Sequence, residues 1–180
     1  MKNFKLSIGW CIVISLVLVV FGLSFGTVNG YNDDRAHVTA LLEGDSGLMT
    51  VVGYRAADGL NLCVVAERHL SGDADVQTLR NAANALRAET KSLSAMKRAD
   101  DALSAAFETV AKKLRANDGF NAAARDKNYL ALLSSDFEQY GRHAIYATYN
   151  QAATDFNAKL EQNLGFVAKF FGVKACELFA

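Results

Sequence analysis

The sequence predicts an all-α protein: an antiparallel bundle of three long helices plus a short C-terminal segment, carried on an N-terminal transmembrane helix. Three observations lead there. The 180 residues contain no proline, which disfavours turn-rich β architectures and suits long uninterrupted helices. Leu6–Val28 runs without a charged residue, the signature of a membrane span. Beyond it, apolar residues recur at helical spacing, and the middle third is rich in alanine, the strongest helix former. A chain of this length allows one domain and an appendage, divided here as an N-terminus at 1–5, an anchor at 6–28 and a bundle at 31–180.

The anchor is long enough for its task. At about 1.5 Å per residue, Leu6–Val28 rises roughly 35 Å, enough to cross a bilayer's hydrocarbon core with some tilt. Lys2 and Lys5 precede it, and Asp33 and Asp34 follow. The positive-inside rule then predicts a cytoplasmic N-terminus and an extracytoplasmic bundle. A cleaved signal peptide is the alternative, with small residues of Ser24-Phe25-Gly26 at −3 and −1. The run exceeds a typical apolar region of roughly 7–15 residues, which favours retention.

The first long helix is expected over 32–70. Val38, Leu41, Leu48 and Val52 keep its period, while Gly44 and Gly47 predict a kink or fray at 44–47. Leu60–Val65 is apolar enough for a buried strand, but with no partner strand elsewhere helix is the better assignment. Ser71-Gly72-Asp73 reads as a C-cap followed by an N-cap.

The second is expected over 74–116. Leu79, Leu86, Leu93, Phe107 and Leu114 recur every seven residues with Asp100 in the fourth slot, and Ala82, Glu89, Met96, Leu103 and Val110 stand three residues on. This is a heptad seam with polar interruptions at Glu89 and Asp100, suited to a bundle. Asp73 and Asp75 at its start, and Lys112, Lys113 and Arg115 at its end, complement the helix dipole.

Asn117-Asp118-Gly119 turns the chain into a third helix over 119–163. Its stripe runs through Leu130, Leu133, Phe137 and Tyr140, slips by one residue at Gly141, and resumes through Ile145, Tyr149, Ala152, Phe156 and Leu160. Such a slip reads as a coiled-coil stutter. Within it, Tyr149-Asn150 and Phe156-Asn157 stand seven residues apart, so each pair falls on the same side of the helix. The aromatics are expected in the core and the asparagine amides at its flank, bonding to neighbouring helices. The tail, Gly165–Ala180, carries Phe166, Phe170, Phe171 and Phe179, too greasy for free exposure; it should pack on the bundle or touch the membrane.

Chemistry is sparse. Lys+Arg and Asp+Glu both total 19, so no nucleic-acid footprint is indicated. Cys11, Cys63 and Cys176 form no C-x-x-C, and Cys63 and Cys176 read as small buried thiols. His37, His69 and His143 lack a second ligand at helical spacing, and Glu138 is followed three residues on by Gly141, not by the histidine of a di-iron bundle. Asp100 and Asp101 point about 100° apart on a helix and read as a solvated flank. No nucleophile elbow, zinc helix or phosphate loop occurs. No catalytic residue, metal ligand or cofactor is therefore assigned.

The residues do resemble a family. Leu114-Arg115-Ala116-Asn117-x-x-Phe120 resembles the L-K-A-N-x-x-F turn of the LemA family, and Tyr149-Asn150-x-Ala152-x-x-x-Phe156-Asn157 is similar to its Y-N-x-A-V-x-x-Y-N helix. Phe171-Gly172-Val173 is similar to its F-G-F ending. The chain departs from the family at Lys112-Lys113, where the family carries Tyr-Pro, and at Tyr146, where it carries Arg. The family's R-R-A-D-L-I-P-N-L stretch is reduced to Arg55-Ala56-Ala57-Asp58-Gly59-Leu60-Asn61-Leu62. The resemblance implies a membrane-tethered antiparallel bundle of the bacterial inner membrane with no established catalytic residues. In it Leu114, Asn117, Phe120, Tyr149, Asn150, Phe156 and Asn157 would be structural. One relative takes part in forming magnetosome membranes, which points to a membrane-organising role; an envelope protein partner is the expectation of the scaffold reading alone. Two function classes follow: a non-enzymatic scaffold, or an enzyme or regulator with a small inter-helix site drawing on His69, Asp58 and Cys63.

Overall fold

The computed structural model describes residues 7–88, 92–162 and 164–180. Every regular element among them is an α-helix: α1 Ile8–Glu43, α2 Leu48–His69, α3 Ala74–Arg87, α4 Leu93–Arg115, α5 Asp118–Ala122, α6 Ala124–Gly141, α7 Ile145–Glu161 and α8 Gly165–Phe170. The all-α bundle and the long apolar N-terminal helix are as expected. Lys2, Lys5, Leu6, Glu89 and Asn163 lie outside the described residues.

The long spans are subdivided, each by local chemistry. The 32–70 span breaks at 44–47, where the glycines predicted it. A Cβ on Gly44 would sit 2.5 Å from the Ala40 carbonyl oxygen, and one on Gly47 would sit 2.7 Å from that of Leu42, so the turn closes only on bare backbone. Leu60–Val65 is helical, within α2.

The single helix expected over 74–116 is corrected to two. α3 ends before Ala88, which is extended (φ −69°, ψ 119°), and Ser92 caps α4 by accepting from the Ala95 amide. α3 packs on α4. The heptad survives the turn because each arm of a helical hairpin needs its own apolar stripe, so Leu79, Leu86, Leu93, Leu103, Phe107 and Leu114 are all buried. The seam is thus not one coiled coil. Likewise, the expected 119–163 helix is three helices. The slip at Gly141 is a break rather than a stutter: α6 ends there, and His143 Nδ1 accepts the Ile145 amide 3.2 Å away as α7 begins.

The chain forms two compact units, residues 1–38 with 153–176, and 39–152 with 177–180. In the second, α2 packs against α3, α4 and α6, while α5 bridges α4 and α6. Asp73 caps α3 by accepting the Asp75 amide at 2.8 Å, and Lys113 near the end of α4 pairs with both Asp73 and Asp75. Lys113 stands where the resembled family has proline.

The first unit comprises the apolar part of α1, the latter part of α7, α8 and the segment to Cys176. Tyr31 and Val38 are its buried α1 residues, set against Ala153, Phe156 and Leu160 of α7 in the same core. The Tyr31 ring meets Phe156 edge-on (centroids 6.5 Å apart, 72°), and its hydroxyl donates to the Lys159 carbonyl at 3.0 Å. Lys159 forms an ion pair with Asp34. α8 ends in a Schellman motif. Gly172 takes φ 92°, its amide donates to the Lys169 carbonyl at 3.0 Å, and the Val173 amide donates to that of Ala168 at 3.0 Å.

Candidate functional site

Among the described residues, three places gather the polar side chains singled out in the sequence. The first lies within the second unit, where the α6–α7 break opens a cleft of about 540 Å³ against α2 and α4. At its floor Arg55, 6% exposed, pairs with Asp100, 4% exposed. Asp100 is therefore no solvated flank, as its spacing suggested. The 100° between neighbours sends Asp101 to solvent, where it pairs with Lys97, and turns Asp100 inward. Arg55 Nη2 donates to Ser104 Oγ at 2.7 Å, and that hydroxyl donates to the Asp100 carbonyl at 2.8 Å. The guanidinium also lies over the Phe137 ring, 4.3 Å from its centroid, and Phe137 stacks on Phe107 at 4.1 Å. A desolvated cation over an aromatic face is worth about 2 kcal/mol.

Burial raises the Asp100 carboxyl above its ordinary range, and Arg55 pulls it back. Tyr146 closes the cleft's wall with its hydroxyl buried beside the Arg55 guanidinium, and burial raises it above the usual phenol, so it stays neutral. Arg55 and Lys97 are each committed to an aspartate, and exposed His143 also lines the cleft.

One turn along α2 from Arg55, Asp58 carries a buried carboxylate oxygen with no partner. Burial, aided by Asp136, raises its carboxyl to about 6. A folded-state value raised from 3.8 favours the protonated form. The associated stability is present below about pH 4 and is lost as pH rises through about 6. The displacement corresponds to about 3 kcal/mol at most, since part of the side chain keeps its water. Asp58→Asn is therefore expected to flatten the decline in melting temperature between about pH 4 and pH 8, read from thermal scans of both chains. An unchanged slope refutes the assignment.

The second place is the end of α2. His69 Nε2 lies 2.7 Å from Asp126 Oδ2, and Arg68 donates to Asp126 Oδ1 at 2.8 Å. The His69 hydrogen bond, with Arg68, holds the Asp126 carboxyl below its usual range. The L-R-A-N-x-x-F turn completes this brace. Asn117 Oδ1 accepts the Phe120 amide at 2.9 Å as the N-cap of α5, while its Nδ2 donates to the His69 carbonyl at 3.2 Å. Phe120 is buried with its ring perpendicular to His69, 5.3 Å away, and Leu114 is fully buried. His69, Asp58 and Cys63 do not share partners: Cys63 lies buried against the Val76 carbonyl, and burial raises its thiol.

The third place is the Tyr149–Asn157 stretch of α7. Tyr149 and Phe156 are buried, at 2% and 4% exposure. Contrary to the expectation that they bond to neighbouring helices, their asparagines hold the non-helical C-terminal segment. Asn150 Oδ1 accepts the Phe179 amide, and its Nδ2 donates to the Phe179 carbonyl, both at 2.9 Å. Asn157 makes the same pair with the amide and carbonyl of Cys176, both at 2.8 Å. Tyr149 adds a bond from its hydroxyl to the Glu177 carbonyl at 2.6 Å.

Of the remaining candidates, His143 lines the cleft at the α6–α7 break. His37 and His143 are exposed, and Glu138 pairs with Arg142 on the surface. Cys11 is exposed, Cys176 half-buried, and all three cysteines are free thiols. No family model, curated protein or solved structure matches the chain.

Proposed function

We propose that this chain is a non-enzymatic, membrane-anchored scaffold of the bacterial envelope, a divergent relative of the LemA family. The observation that carries the reading is α1, one helix of 36 residues whose first part is apolar, uncharged and exposed. It is long and apolar enough to cross a membrane, and the same helix continues into buried Tyr31 and Val38. An exposed helix of this composition is stable in lipid and costly in water. The charge asymmetry supports a single pass with the N-terminus in the cytoplasm and the bundle outside. The family proposal rests on the two motifs, whose residues all serve packing or tethering: Leu114, Asn117 and Phe120 at one turn, Tyr149, Asn150, Phe156 and Asn157 along α7.

A second reading, a small inter-helix site, draws support from the cleft lined by Arg55, Tyr146 and His143. Crosslinking in intact membranes, followed by mass spectrometry of the extracted chain, separates the two. The scaffold predicts an N-terminus that retains α1 and a recurrent crosslinked envelope protein or lipid. A mature N-terminus near Thr27 overturns the anchor. Absence of any crosslink, together with turnover of a substrate abolished by Tyr146→Phe, overturns the scaffold.

A further inference from the structure

We infer that Phe166, Phe170 and Phe171 form a second membrane contact, a wedge that enters the lipid interface beside α1. The inference rests on the reading of α1 as a membrane span. All the residues involved belong to one compact unit.

The three rings are 69%, 84% and 57% exposed, a cluster of large apolar surface within six residues. Phe166 and Phe170 lie one turn apart on the same face of α8, and Phe170 meets Phe171 edge-on at 5.3 Å. Water gives such a patch no compensation.

Its position names the partner. Phe171 lines a small apolar cavity together with Phe21, Phe25 and Val28 of α1. If Ile8–Val28 spans the hydrocarbon core, at about 1.5 Å per residue, then Phe21–Val28 occupies its last ~10 Å. A ring packed there is carried to the depth at which interfacial helices bury their apolar faces, about 5–10 Å. The backbone is equipped for that setting. The Schellman bonds at Gly172 and Val173 close the end of α8 on itself, so the turn enters lipid with those amides already paired. Lys169, paired with Glu161 at 2.6 Å, and exposed Lys174 flank the rings and suit the headgroup layer.

The test uses the full chain reconstituted in phosphatidylcholine–phosphatidylglycerol vesicles with bromines at shallow acyl positions. Trp10, the one tryptophan of the sequence, reports insertion of α1. In the Trp10→Phe/Phe170→Trp chain, the introduced indole reports the wedge, at a site exposed enough to leave folding intact. Quenching of the introduced indole to about the extent seen for Trp10 is the expected result. Quenching of Trp10 without quenching at position 170 overturns the wedge and leaves the anchor standing. Quenching at neither position overturns both.

Discussion

Phe156→Ala is expected to lower the melting temperature of the detergent-solubilised chain by roughly 6–20 °C. The ring is 4% exposed and meets Tyr31 edge-on. Its removal forfeits transfer energy and leaves a cavity, together about 3–5 kcal/mol. For a chain of this size each kcal/mol is worth about 2–4 °C. The Tyr31 hydroxyl is bonded to the Lys159 carbonyl, which limits how far that ring can collapse into the void. A thermal scan followed by circular dichroism reads the effect directly. A melting temperature equal to that of the parent chain refutes the packing described for this unit.

Asp100→Ala is expected to cost about 3–5 kcal/mol, because it strands the Arg55 guanidinium in a buried site. Ser104 and the Phe137 face remain as partners, but neither carries a compensating charge. The informative control is Arg55→Met/Asp100→Leu. Replacing a buried pair by apolar residues of similar volume is often neutral or stabilising, so the double variant should recover most of the loss. Denaturant unfolding of the three chains measures this. If the double variant loses as much as Asp100→Ala, the cost belongs to packing rather than to the unpaired charge.

The two variants also show where the sequence was legible. Phe156 was readable as a core residue because a stripe of period 3.6 carries the face of a helix in its spacing. What covers that face is not in the period. The asparagines beside Tyr149 and Phe156 were therefore assigned to neighbouring helices, when their partner is an irregular segment some twenty to thirty residues further on.

The α3–α4 turn was hidden for a similar reason. Leu86 and Leu93 keep the seven-residue interval across it, and 88–92 holds neither glycine nor proline. Ser92 as an N-cap and the polar interruption at Glu89 were the local signs. The Arg55–Asp100 pair did leave a trace. Asp100 fills a core slot of its seam, and Arg55 lies on the same face of α2 as Val51, Val52, Gly59 and Leu62. Opposite charges in two apolar stripes call for one another, but single-helix periodicity does not say which stripes meet.

The clamped C-terminal segment has one further consequence. An asparagine side chain ends in a primary amide, chemically a peptide group detached from the main chain. By presenting both its oxygen and its nitrogen to one residue, each clamp on α7 behaves as a fragment of strand grafted onto a helix. Such a contact reads backbone and ignores the side chains beyond it. Cys176 and Phe179 are thus gripped through main-chain groups, whereas Glu177 between them also uses its side chain, whose carboxylate accepts from the Ser94 amide at 3.3 Å.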